Sequence, residues 1–290
     1  MTRINLKKIN DVNIKPLVVK GYKKEEDKRP IKGSELFPIL YSSGLILAKK
    51  NSGKTVTVGN AIKRCASKKN TTVIVFCSTV DKDEGHILIK KLCKSKGIKY
   101  IAHKSLLADD GSNILKAYMD ELKVHGQDDS DDEEKDNSEL MKLFNRDGDD
   151  IDEKTRKEKY QTPEFIFVFD DLSGELKNPM MSKFMKEHRH YHSKIIISTQ
   201  YVHDLPPACL KQLDYCLCFK SLSDEKIKKL QGDLDLSVNP DDLLSMYKDA
   251  TKKQYSFLYI CARAGEEYRQ NFNKKYDIYE VDQEEENEYK

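Results

Sequence analysis

The sequence predicts an α/β fold in which a mostly parallel sheet carries helices on both faces. Three observations carry that prediction. First, the apolar run Gly44-Leu45-Ile46-Leu47 leads into Ala48-Lys49-Lys50-Asn51-Ser52-Gly53-Lys54-Thr55, after which an amphipathic segment begins. Second, strand-like and helix-like segments alternate along most of the chain, and strands joined through helices in this way are parallel and buried. Third, two later apolar runs end in polar groups, Asp170-Asp171 and Ser198-Thr199-Gln200. Sheets of this class collect ligands at the C-terminal ends of their strands.

Residues 1–35 are lysine-rich with few apolar anchors, so they are expected to form a basic arm, and regular alternation starts at Leu36. Residues 56–65 place Val58, Ala61, Ile62 and Cys65 at helical spacing, and 71–77 read as a buried strand. A helix over 87–96 ends at Gly97, a favourable C-cap, and 98–102 is a third strand. Ser112 is placed to cap a helix carrying Ile114, Leu115, Tyr118, Met119 and Leu122.

The stretch 127–153 holds 13 acidic and 3 basic residues and cannot bury enough apolar surface to fold. A disordered acidic insertion is therefore expected at about 126–160. Its Asp147-Gly148-Asp149 lacks the ligand spacing of a calcium loop. Order returns with a strand at 164–169 and a helix begun by Asn178-Pro179 and packed through Met181, Phe184 and Met185. Then come a strand ending at Gln200, a loop with Pro206-Pro207, a strand at 215–219, helices over 224–231 and 240–246, and a strand at 256–261. An acidic tail fills 271–290, leaving 36–270 as the folded domain.

With 290 residues the chain is long enough to bury a core without covalent staples. No apolar run is long enough to span a membrane and the N-terminus is polar and basic, so a soluble, intracellular protein without membrane contact is expected. The seven cysteines lack paired Cys-x-x-Cys spacing and sit mostly in apolar runs, as reduced core residues do. The net charge of +2 conceals a basic body carrying acidic appendages, a distribution suited to a polyanionic partner.

The chemistry converges on a nucleoside triphosphate. A strand that stops abruptly, a loop whose N–H groups turn inward and a helix beginning at Lys54 make a phosphate cradle built from residues 48–55. Lys54 is assigned to the β- and γ-phosphates, and the Thr55 hydroxyl to Mg²⁺. The apolar positions 165–169 deliver Asp170 to the same rim, to act on the metal, with Asp171 beside it as general base for the attacking water. Gln200, at the end of the next strand, is assigned as a γ-phosphate sensor. His188, His190 and His192 alternate beside a lysine and are expected to form polar surface.

Together, residues 48–55, 165–171 and 195–200, with the histidine-rich approach 188–192, resemble the FtsK/HerA superfamily, most nearly the genome-packaging ATPases of poxviruses and other large DNA viruses. The likeness covers about 36–262. It implies a RecA-like core of the ASCE type with Walker A and Walker B elements, ATP hydrolysis with Mg²⁺, a homo-oligomeric ring and double-stranded DNA as the translocated partner. It also implies a capsid or vertex protein as docking partner, and the host cytoplasm, virus factory or virion as location. Such rings take an arginine from the neighbouring subunit, for which Arg189, and secondarily Arg263, are the candidates. Two positions depart from the pattern: Ala48 replaces a glycine, and Asp171 stands where many relatives carry glutamate. Two other functions are compatible with a phosphate loop, namely a nucleoside or nucleotide kinase and a nucleotide-binding scaffold without turnover. The first would need an arginine-rich lid, which the sequence lacks.

Overall fold

In the computed structural model, residues 27–125 and 159–278 are described, apart from 173, 221 and 264. The arm expected at 1–35 enters these residues only from 27, while the acidic insertion up to 158 and the acidic tail beyond 278 lie outside them.

Nine strands form one sheet in the order β3-β2-β4-β5-β1-β6-β7-β8-β9. They are β1 (Ser43–Leu47), β2 (Thr72–Cys77), β3 (Lys99–His103), β4 (Phe165–Asp170), β5 (Ser193–Thr199), β6 (Tyr215–Phe219), β7 (Phe257–Cys261), β8 (Glu267–Gln270) and β9 (Lys274–Lys275). β1 to β6 are mutually parallel where they pair. The strand expected at 256–261 departs from that pattern: β7 runs antiparallel to β6, and β8 and β9 extend it as a meander. Short turns join β7 to β8 and β8 to β9, connections that only antiparallel neighbours allow, whereas the chain passes from β6 to β7 through two helices across residues 220–256 and still returns antiparallel.

Alternate residues of each strand face opposite layers. Ile46, Val73, Val75, Ile166 and Val168 pack with Val58, Ala61 and Ile62 of α1 (Lys54–Cys65) and Ile89 and Cys93 of α2 (Glu84–Lys96). Leu45, Leu47, Ile74, Phe76, Phe167 and Phe169 face the other way. That layer holds Tyr118 and Met119 of α3 (Ile114–His125), Phe184 of α4 (Pro179–Glu187), Ile227 of α6 (Asp224–Asp233) and Leu243 of α7 (Pro240–Ala250). A short α5 (Pro207–Leu210) follows the double proline. Helices thus cover both faces, and among the described residues none is long and apolar enough to cross a membrane. All seven cysteines are free and six are buried.

Capping chemistry moves two helix starts from where apolar periodicity puts them. α2 begins at Glu84 rather than 87, because the Asp83 side chain accepts from the His86 N–H. α3 is capped by Asn113, which accepts from the Lys116 N–H at 2.9 Å, and not by Ser112. His188 is also corrected. It is buried at the end of α4, its Nδ1 2.8 Å from the Met185 carbonyl, whereas His190 and His192 are exposed.

Lys194 is buried at the start of β5, where its Nζ donates to the Ile39 carbonyl (2.8 Å) and the Ser42 hydroxyl (2.6 Å). Burial lowers its pKa to about 8 from 10.5. The unfolded chain therefore holds more protons than the native one between those values, so native stability rises as pH climbs from about 8 towards 10.5. Lys194→Met removes the buried charge and loses two hydrogen bonds, and is expected to be about 1 kcal/mol more stable than the parent at pH 7. Thermal unfolding of both proteins should show that gap closing between about pH 8 and 9 and reversing by about pH 10, at about 1.4 kcal/mol per pH unit; a gap constant with pH would mean the ammonium carries no burial penalty.

Candidate nucleotide site

The phosphate loop joins β1 to α1 at the C-terminal edge of the parallel strands. Gly53 has φ 95° and Asn51 φ 64°, so the left-handed turns fall at these two residues. Ala48 has no such conformation, which is why alanine serves where the motif usually has glycine. Its N–H donates to the Thr199 carbonyl of β5 at 3.1 Å, tying the loop to the strand that carries Gln200. Lys49, Lys50 and Asn51 are exposed, while Ser52 and Thr55 are half-buried. α1 starts at Lys54, so its first N–H groups and the positive end of its dipole point into the loop.

Lys54 is only 7% exposed, yet its Nζ lies 3.0 Å from Oδ1 of Asp171, across 117 residues of sequence. β5 lies between β1 and β4 in the sheet. The register pairs Leu47 with Thr199 and Ser198 with Asp170, which puts the loop, Gln200 and both aspartates on one edge. Asp171 sits at φ 49°, a turn that swings its carboxylate off the strand and towards the loop. Gln200 is half-buried at the end of β5.

Asp170 is buried at 3% exposure, with Oδ2 2.8 Å from Nε2 of His86, itself 1% exposed. Burial disfavours the charged imidazole, but the hydrogen bonds to Asp170 and Cys77 outweigh it and raise the pKa to about 10. Burial likewise works against the Asp170 carboxylate, whose pKa is nonetheless lowered by His86, by the neighbouring Ser198 hydroxyl and by the Lys54 charge. The other oxygen, Oδ1, is buried without a hydrogen-bond partner among the described residues. An orphaned carboxylate oxygen beside a phosphate loop, with a threonine at the helix start, is a donor set that fits Mg²⁺. α2 approaches closely here. A Cβ on Gly85 would meet Thr55 Cγ2 at 2.5 Å, so only glycine lets His86 come in behind the threonine.

Arg189 lies elsewhere. It precedes β5, whose seven residues separate it from the loop by roughly 20 Å at about 3.3 Å per residue. Its Nη2 donates to Oδ1 of Asp214 at 2.9 Å, and Arg263 Nε donates to the same oxygen. Asp214 is fully buried, also accepts from the Ser43 N–H at 2.8 Å, and burial raises its pKa. Both candidate arginines are thus tied to one carboxylate at the opposite edge of the sheet.

The sequence profile of the poxvirus A32 protein family matches residues 132–285, just over half of the chain. The chain belongs to the poxvirus A32 protein family. The part that carries the A32 signature includes Asp170, Asp171 and Gln200, while the phosphate loop lies ahead of it. A search of curated proteins finds no match to this A32-family chain. Among solved structures, it is similar to the genome packaging NTPase B204 of Sulfolobus turreted icosahedral virus 2 in complex with AMPPCP. That match has 16% identity over 77% of this chain and 94% of that one, with a TM-score of 0.47. It is also similar to the cytoplasmic domain of the type VII secretion ATPase EccC of Thermomonospora curvata, at 12% identity over 84% of this chain and 26% of that one, with a TM-score of 0.42. A third similar structure is EssC (ATPases 2 and 3) of Geobacillus thermodenitrificans, with 13% identity, 61% and 31% coverage and a TM-score of 0.37.

Sequence reasoning assigned no role to His86. The visible signal was Asp83-Glu84-Gly85-His86, a capped helix start directly after a strand, but nothing local announces a partner 84 residues away.

Proposed function

We propose that this A32-family chain is an ATP-hydrolysing motor that translocates double-stranded DNA into a viral capsid. The observation that carries the reading is the convergence of Lys54, Asp171 and Asp170 on a single phosphate loop. The loop N–H groups and Lys54 bind the β- and γ-phosphates of ATP. Thr55 and Asp170 would hold Mg²⁺, which when bound supplies positive charge against the phosphate oxygens. Arriving phosphate takes Lys54 away from Asp171, and the freed carboxylate accepts a proton from the water that attacks the γ-phosphorus as ADP leaves. Gln200 contacts the γ-phosphate or that water and so distinguishes ATP from ADP.

In this reading several copies form a ring that docks on a capsid or vertex protein. Arg189, too far from its own loop, serves the site of the next subunit, which requires it to release Asp214. The test is ATP hydrolysis by the purified full chain with Mg²⁺, measured against the length of added double-stranded DNA, with particle mass determined with and without nucleotide. Turnover that rises several-fold with DNA, together with a nucleotide-dependent ring mass, is expected. ATP binding without turnover would leave a scaffold, and phosphorylated nucleosides would make it a kinase; either result removes the motor.

A further inference from the structure

A pocket of about 400 Å³ adjoins the phosphate loop on the side away from the carboxylates, lined by Asn51, Ser52, Phe219, Lys220, Gln254 and Tyr255. Its position follows from strand order. β1 has β5 and β4, with Gln200, Asp170 and Asp171, on one flank and β6 on the other, and β6 ends at Phe219 beside the start of β7. A triphosphate whose γ end lies towards Asp171 must emerge on the β6 flank. The volume lies in the range of small-molecule sites, about 300–1,000 Å³.

The lining is mixed in a useful way. Phe219 is buried against Phe257, with ring centroids 4.9 Å apart, and forms a fixed wall. Tyr255 is 60% exposed and stands at φ 63°, a backbone conformation rarely adopted by a bulky residue and often found at binding sites. Both rings face the loop: a Cβ added at Gly53 would lie 3.6 Å from Tyr255 Cδ1 and 3.8 Å from Phe219 Cε1. The loop and the aromatic wall are therefore in register, and a ligand held by one extends to the other.

We propose that this pocket holds the nucleoside half of the nucleotide, with an adenine ring stacked on Tyr255 and the Gln254 amide at its edge. Stacking on an aromatic accepts any base, because every base has a π-face. Discrimination falls to the amide, since adenine offers one donor and one acceptor to a glutamine while guanine offers two acceptors at the corresponding edge. The proposal rests on the nucleotide site argued above. Its test separates the two by comparing nucleotides with inorganic triphosphate, which has phosphates and no base.

Equilibrium binding of ATP, GTP and inorganic triphosphate, each with Mg²⁺, is measured on the full-length chain and on Tyr255→Gly, Tyr255→Phe and Gln254→Ala. Glycine accepts the φ of residue 255 without strain, so the first variant removes the ring and spares the fold. Tyr255→Gly should weaken ATP about tenfold or more while leaving inorganic triphosphate within about twofold; Tyr255→Phe should restore ATP. Gln254→Ala should narrow the ATP-to-GTP ratio. Unchanged ATP affinity in Tyr255→Gly would overturn the proposal and leave the phosphate site intact. An equal loss for ATP and inorganic triphosphate would overturn it too, by showing that the ring only shapes the loop. If the parent chain binds none of the three, the nucleotide site itself fails and the proposal with it.

Discussion

Lys54→Ala is expected to lower ATP turnover by about 10²–10³-fold or more, while the protein melts within a few degrees of the parent. The two halves of that expectation come from the same ion pair. Lys54 is nearly buried, but its partner Asp171 is 46% exposed, so water takes over the carboxylate when the ammonium is removed. A pair with one solvated member stabilises the fold by no more than about 1 kcal/mol. At a triphosphate, in contrast, the ammonium faces charge that grows on the β–γ bridge as the bond breaks, in a loop that excludes much of the solvent. Loss of such a preorganised charge is felt in the transition state and hardly in the folded ground state. Steady-state hydrolysis together with a thermal melt of both proteins checks both halves. Turnover within about tenfold of the parent would mean that the triphosphate does not lie against residue 54.

The parts of this site legible in the sequence are those whose meaning is carried by adjacent residues. A strand, a turn and a helix start lie within residues 44–55, and the aspartates directly end their own apolar run. Strand order is not written in any one segment: β5, the polar-tipped strand that follows the carboxylate strand in sequence, lies between that strand and β1. What was not legible depends on side chains meeting across the fold. His86 reaches Asp170 because a glycine lets α2 approach Thr55, and no periodicity encodes that contact. Phe219 and Tyr255 come together beside Gly53 because β7 turns back antiparallel along β6, a reversal hidden in a chain that otherwise alternates strand and helix. His188 read as surface because its neighbours are polar, yet the last turn of α4 gave its ring a buried carbonyl partner.

The second large effect concerns Asp170. Asp170→Leu is expected to lose about 10²-fold or more in turnover and also to destabilise the fold by about 3 kcal/mol, because it strands a histidine that is 1% exposed and whose Nε2 lies 2.8 Å from that carboxylate. The double variant Asp170→Leu/His86→Leu separates the two losses. Removal of both members of a buried pair in favour of apolar groups is often neutral or stabilising, so the double variant should recover most of the melting temperature while its turnover stays as low as that of the single one. Mn²⁺ binding followed by paramagnetic resonance in the presence of nucleotide gives an independent readout, and should be weakened in both variants. A double variant that regained hydrolysis would mean that Asp170 serves the fold alone. If instead stability returns and activity does not, then the fold does not need this buried pair for stability; what the pair does is keep one carboxylate ionised, oriented and incompletely bonded at the lip of a phosphate loop, a state that an apolar core would never select.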